Sequence, residues 1–240
     1  MKKIFLLFVL VPFASTAQLK DLIKKAEDKL TTVTKKEGGL DIAGGLKEAL
    51  NKGIKEQVTK LTATDGFYKN EAVKILMPEE LQKVDKALRK MGMSKLADDG
   101  IKALNRAAED AVKESTPIFV DAIKNITITD AKSILLGKED AATNYLQTST
   151  RNPLYNKFNP VVQQSIGKVG ADVIWNNIIK KYNSLPLVTK VNPDINDYVT
   201  NKALDGVFKM ISVEEKNIRT NLNSRTSDLL KKVFALQDKK

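Results

Sequence analysis

Cysteine and histidine are both missing from this 240-residue chain, and each absence closes off a chemistry. Without cysteine there is no disulfide, no thiol nucleophile, no thiolate metal site and no residue to carry a bacterial lipid anchor. Without histidine, imidazole zinc sites and triads of the serine–histidine kind cannot be built. Any reaction would rest on carboxylates, lysine, tyrosine or serine, so the expectation is a protein that is not an enzyme. Aromatic residues make up only 6% of the chain, with one tryptophan, too few for a base-stacking surface. Phosphate-loop and calcium-loop patterns are lacking as well. The glycine pairs at 38–39 and 44–45 have no lysine–serine/threonine ending, and Asp98-Asp99 and Glu214-Glu215 are isolated acid doublets. No cofactor or metal is expected.

Long apolar runs are scarce too. The most apolar stretch, Ile4 to Phe13, is short of the roughly 20 residues that span a bilayer. Lys2 and Lys3 precede it and Ala14-Ser15-Thr16-Ala17 follows, the layout of a cleavable secretory signal. The expectation is cleavage near Ala17, no stable transmembrane anchor, and a bacterial periplasmic or secreted address. Lys+Arg number 40 against 29 Asp+Glu, a net charge of +11. Lysines are interleaved with acids, as in residues 24–29, which describes a solvated surface with a weak attraction for acidic lipid headgroups or cell-wall polymers. Nucleic acid is not an expected partner, since no dense basic–aromatic stripe exists.

Helical periodicity dominates what is present. Leu19, Leu22, Ile23, Ala26, Leu30 and Val33 predict an amphipathic helix, followed by a glycine-rich joint. A second helix follows from Leu46, with Gly53 marking a close crossing. Phe67 to Met77 reads as a short helix stopped by Pro78, and Leu81, Val84, Leu88 and Met91 as the buried face of the next, closed by Gly92. Ser94 to Ile126 reads as a central spine: Ala97, Ile101, Leu104, Ala108, Ala111, Ile118, Ala122 and Ile126 share a face whose small residues admit close neighbours. Asn105, Arg106, Glu109, Asp110 and Lys113 fall to its polar side, and Thr116-Pro117 predicts a break. Asn152-Pro153 and Asn159-Pro160 read as successive helix starts. Ile166 to Ile179 predicts a strongly apolar helix holding Val173 and Trp175, and residues 184–191 a non-helical crossing. A helix from Asp194 and a capping box at Ser212–Glu215 come next, then a last helix from Thr226 to Leu236 with a frayed tail. The fold class is all-α: residues 1–17 signal, 18–39 amphipathic helix and joint, 40–236 a single multi-helix domain, and 237–240 a disordered tail.

Several stretches carry a resemblance: Asp65 to Asn70, Asn105 to Glu109, Asp130 to Gly137, Asp197 to Thr200 with Ala203 to Gly206, Glu214-Glu215 with Arg219, and Arg225-Thr226 before Leu229-Leu230. In that order they resemble the exported bacterial family known as domain of unknown function 4197, over roughly residues 40–236. Leu222 stands where the family pattern has proline. The resemblance implies an exported helical protein and transfers no activity, substrate or cofactor.

Two accounts of the motif polar residues compete. In one they are helix caps and ion pairs that fix packing. In the other Arg106, Glu109, Asp130 and Arg225 converge, with Trp175 as a stacking surface, to bind an anionic or zwitterionic ligand. The expected mechanism is an apolar groove between the spine and the Trp175 helix, rimmed by arginine and lysine. It would hold an acyl chain with an acidic head, another anionic envelope component, or a helix of a partner envelope protein. The alternatives are an assembly scaffold of the cell envelope and a hydrolase built on a carboxylate pair such as Glu109 and Asp130.

Overall fold

The computed structural model describes residues 41–78, 82–168 and 194–238, with isolated positions between 170 and 190. The expected signal, the amphipathic helix at 19–36, Trp175 and half of the 184–191 crossing lie outside the described residues; the described positions of that crossing, 184, 186, 187 and 190, are not helical. Helix α1 (Ile42–Thr62) starts earlier than its apolar pattern suggests, because the Asp41 side chain accepts the Gly44 amide at 2.8 Å. Gly44 and Gly45 therefore belong to a helix and not to a joint. Gly45 has a packing reason to be there: a Cβ at this position would lie 2.4 Å from the Val233 side chain. Gly53 faces Glu214 and Ile218 across a close crossing, as its position within an apolar face suggested.

Residues 63–78 do not form the expected helix. They are a run of turns ending in extended chain, since Asp65 sits at φ 67 and the Asn70 side chain takes the Ala72 amide. Helix α2 (Gln82–Lys90) ends at Gly92, whose φ of 76 suits only glycine well. Met91, expected in the buried face, is exposed. The expected interior positions Leu81, Val84 and Leu88 are outside the described side chains.

The spine is two helices, α3 (Ser94–Val112) and α4 (Ser115–Lys124). The break falls at Lys113-Glu114, ahead of Thr116-Pro117. It shifts the phase, so that Phe119 and Ile123 are buried while Ile118 and Ala122 are only half-buried. Ala97, Ala107, Ala108 and Ala111 are all buried on α3, which packs against α1, α2, α6 and α7. Small side chains permit that crowding. Asn105 and Glu109 are buried as well, which corrects their assignment to a polar face.

Helix α5 (Ile128–Leu135) begins with a Thr127–Asp130 capping box. Helix α6 (Ala141–Gly167) runs unbroken through Pro153 and Pro160. The prolines were expected to start helices. They lie seven residues apart on the exposed side, where water can serve the carbonyls they leave unbonded. On the opposite side Leu154, Phe158, Val162 and Ile166 form a fully buried stripe. Val173, placed in a buried helix by its sequence, is exposed.

Helix α7 (Ile195–Thr220) is capped by Asp194 and passes straight through the expected second start at Ser212. A 3₁₀ turn (Leu222–Ser224) leads to α8 (Asp228–Phe234), capped by Ser227. The tail is held in place at Gln237 and Asp238, which bond Arg219 and Arg225. No strand occurs among the described residues, and the all-helical expectation holds.

Gly45→Leu is expected to lower stability by about 1–3 kcal/mol through overpacking against Val233. Gly167→Ala, where a Cβ meets open space, is expected to leave stability unchanged or raise it by up to about 1 kcal/mol. Urea unfolding of the two variants checks the contrast.

Candidate functional site

The motif residues form three separate polar clusters, each built around backbone groups. In the first, Glu109 on α3 accepts the amides of Phe67 and Tyr68 and an ion pair from Arg106, whose guanidinium also reaches Asp65. Next to it, the Asn105 amide takes both backbone groups of Ile75, donating to its carbonyl and accepting its N–H at 2.8 Å each. A side chain thus plays the part of a neighbouring strand, and it explains why residues 74–78 stay extended. The Lys69 ammonium, followed by the Arg106 guanidinium, holds the Asp65 carboxyl below its usual range against a desolvation penalty.

The second cluster is Glu215 with Arg219, one turn apart on α7 and both nearly inaccessible to solvent. Glu215 accepts the amides of Ala142 and Thr143 and the Thr143 hydroxyl at 2.8–2.9 Å. Arg219 donates to Glu215, to the carbonyls of Ile134 and Leu135, and to Gln237. The carboxylate faces the amide-rich start of α6 and the guanidinium the carbonyl-rich end of α5, the arrangement that helix dipoles favour.

The third cluster centres on Arg225, which is 2% exposed. It donates to the carbonyls of Ile218 and Arg219 at the end of α7 and to the Asp238 carboxylate. Its plane also stands 5.5 Å from the Phe234 ring. The pair with Arg225 lowers the Asp238 pKa.

Asp130 bonds the Thr127 hydroxyl and amide, and these bonds lower its pKa. Of the residues expected at a common cleft, then, Arg106 and Glu109 are joined. Asp130 and Arg225 have partners of their own, Thr127 for the one and Asp238 with the end of α7 for the other. Trp175 lies outside the described residues, and so does one wall of the groove expected beside it. Glu109 and Asp130, named as a possible carboxylate pair, share no partner. Tyr155 donates to Asp197 at 2.6 Å and is pushed up to about 12, so its phenol stays protonated at neutral pH. Among the described residues no group of three or more acids stands where it could hold a metal ion. No described helix is long and apolar enough to cross a membrane.

A different concavity is present. Residues 72–78 and the Tyr198–Lys209 face of α7 enclose an open groove of about 760 Å³. Val73, Leu76 and Met77 supply apolar lining, and Lys74, Lys202 and Lys209 supply positive charge. Asp205 at its edge is already paired with Arg151. The Tyr198 hydroxyl donates to the Leu76 carbonyl at 2.7 Å and ties the two walls together. Sequence reasoning missed this groove, because its walls are far apart in the chain. The lysines at 202 and 209, two turns apart on one helix face, were the available signal.

Glu215→Gln is expected to destabilise the protein by about 3–5 kcal/mol, because it strands the buried Arg219 charge. The Glu215→Gln/Arg219→Met double variant should cost less than the sum of the two single changes, measurable as a urea double-mutant cycle. Acid should also weaken the fold. A carboxyl whose folded pKa is lowered contributes stability above its unfolded value of about 3.9. That contribution is lost as pH falls through the folded value. Asp65, Asp130 and Asp238 all shift this way. Unfolding midpoints should drop on acidification below about pH 4, less steeply in Asp238→Asn.

The model of a family described as "Protein of unknown function (DUF4197)" matches residues 36–235. No curated protein and no solved structure matches the chain.

Proposed function

Because the chain belongs to the DUF4197 family of proteins of unknown function, its role has to be read from its own surfaces, and we propose that it works by binding and not by catalysis. The site is the groove between residues 72–78 and α7. Its ligand is an anionic amphiphile, an acyl chain with an acidic head, taken up in the bacterial envelope space after export.

One observation carries this reading. The groove combines an apolar lining with three lysines, and the acid at its edge is neutralised by a neighbour. A carboxylate or phosphate head suits Lys202 and Lys209, with Lys74 beside them already 3.7 Å from Glu71. An alkyl chain suits Leu76 and Met77, at about 0.8 kcal/mol for each methylene buried. The non-catalytic part of the reading rests on how the motif acids and arginines are used. Glu109, Glu215, Arg219 and Arg225 already bond backbone groups in the protein's own frame.

Palmitate titrated into the protein, followed by calorimetry and by thermal unfolding, is expected to bind and to raise the melting temperature. Lys202→Glu/Lys209→Glu is expected to weaken binding at least about tenfold, roughly 1.4 kcal/mol, with the fold intact by circular dichroism. Leu76→Asp should weaken it as well. Absence of binding, or equal affinity in the unaltered protein and both variants, overturns the proposal. Concentration-dependent self-association without palmitate binding would favour an assembly scaffold instead.

A further inference from the structure

The turn joining α2 to α3 brings together features that neither the helical frame nor the groove uses. Met91, Met93 and Leu96 are 66%, 42% and 54% exposed, three large apolar side chains within six residues. The turn stands clear of the rest of the protein, for a Cβ added at Gly92 would meet nothing within 4 Å. Charge around it is sorted by position. From Lys86 to Leu96 the chain carries Lys86, Arg89, Lys90 and Lys95 and no acid. The nearest acids, Asp85, Asp98 and Asp99, lie behind the turn and are paired with Arg89 and Lys95. The exposed apolar side chains of the turn therefore follow directly on Lys86 and Lys90, which are exposed as well.

We propose that this turn is a reversible anchor for an anionic lipid bilayer. Met91, Met93 and Leu96 enter the boundary between headgroups and acyl chains, and Lys86 and Lys90 meet the anionic headgroups, Lys95 being paired with Asp99. Charge complementarity selects the occupant, because exposed lysines beside an apolar tip match a surface that is negative outside and apolar beneath. A protein partner fits less well. The tip is convex, and three side chains fall well short of the roughly 800 Å² that a stable interface takes from each partner. Methionine suits the role because it is flexible and packs against irregular surroundings. The inference stands on the tip alone and is independent of the groove.

The lack of native cysteine makes the test specific to the site. Full-length Met93→Cys and, as a control on the exposed side of α6, Lys157→Cys are each labelled with nitrobenzoxadiazole. They are then mixed with vesicles of phosphatidylglycerol and phosphatidylethanolamine, or of phosphatidylcholine alone. The expected result is a blue shift and brightening at position 93 with phosphatidylglycerol vesicles, weak with phosphatidylcholine and absent at position 157. Adding Lys86→Glu/Lys90→Glu should lower the apparent partitioning at least tenfold, with helicity retained by circular dichroism. If that variant unfolds, the single-cysteine pair decides the matter. No shift at position 93, an equal shift at 157, or a shift without vesicles that grows with protein concentration overturns the proposal.

Discussion

A helix that begins or ends inside a protein leaves amides or carbonyls with no partner, and burying them unpaired costs more than most packing gains return. Here the link from α5 to α6 is exposed at residues 136–139, but the last residues of α5 (Ile134, Leu135) and the first turn of α6 (Ala142, Thr143) are buried. The Glu215–Arg219 pair serves both ends from the C-terminal turns of a third helix, α7. Glu215 takes the amides at the start of α6, and Arg219 takes the carbonyls at the end of α5. The pair is itself deeply buried, so each ion depends on the other and on the backbone around it. This contact fixes where α5, α6 and α7 meet. Arg225 repeats the device at the end of α7, where it reaches Asp238 and so draws the C-terminal residues onto the helix.

The same economy accounts for what the sequence disclosed and what it hid. Periodicity and local caps placed most helices, because both act within one or two turns: Asp194 before α7, Gly92 after α2. The failures share a cause. Asn105 and Glu109 look like a solvated face when read as residue types, yet they sit four and eight positions after Ile101, on the buried stripe. Their partners, Ile75 and the Phe67–Tyr68 amides, are some 30 to 40 residues away in the chain, so no local pattern exposes them. Pro153 and Pro160 signalled helix starts. Burial of Leu154, Phe158, Val162 and Ile166 across α3 and α7 outweighed the two missing hydrogen bonds. The capping box at Ser212 failed because Glu215 is committed to the end of another helix. The groove was hidden because it joins residues more than 120 positions apart.

Once the motif polar groups are assigned to the frame, two of the surfaces left among the described residues differ in character. The groove beside α7 is concave and mixes apolar lining with lysine; the α2–α3 turn is convex and segregates the two. Helix α2 connects them. Gln82 borders the groove and Lys90 borders the turn, about 12 Å apart along a nine-residue helix. A surface contact at the turn would therefore bring the groove close to that same surface.

The prolines of α6 have a mechanical consequence. Each removes a rung from the hydrogen-bond ladder on the outer side only, and a helix loosened on one side bows toward the other. Over 27 residues, about 40 Å, a bow of that sense would carry α6 around its neighbours instead of past them at a tangent. A bowed rod cannot slide by one turn and still fit its bed. Such curvature would work as a register key, holding α6 at one axial position against α3 and α7.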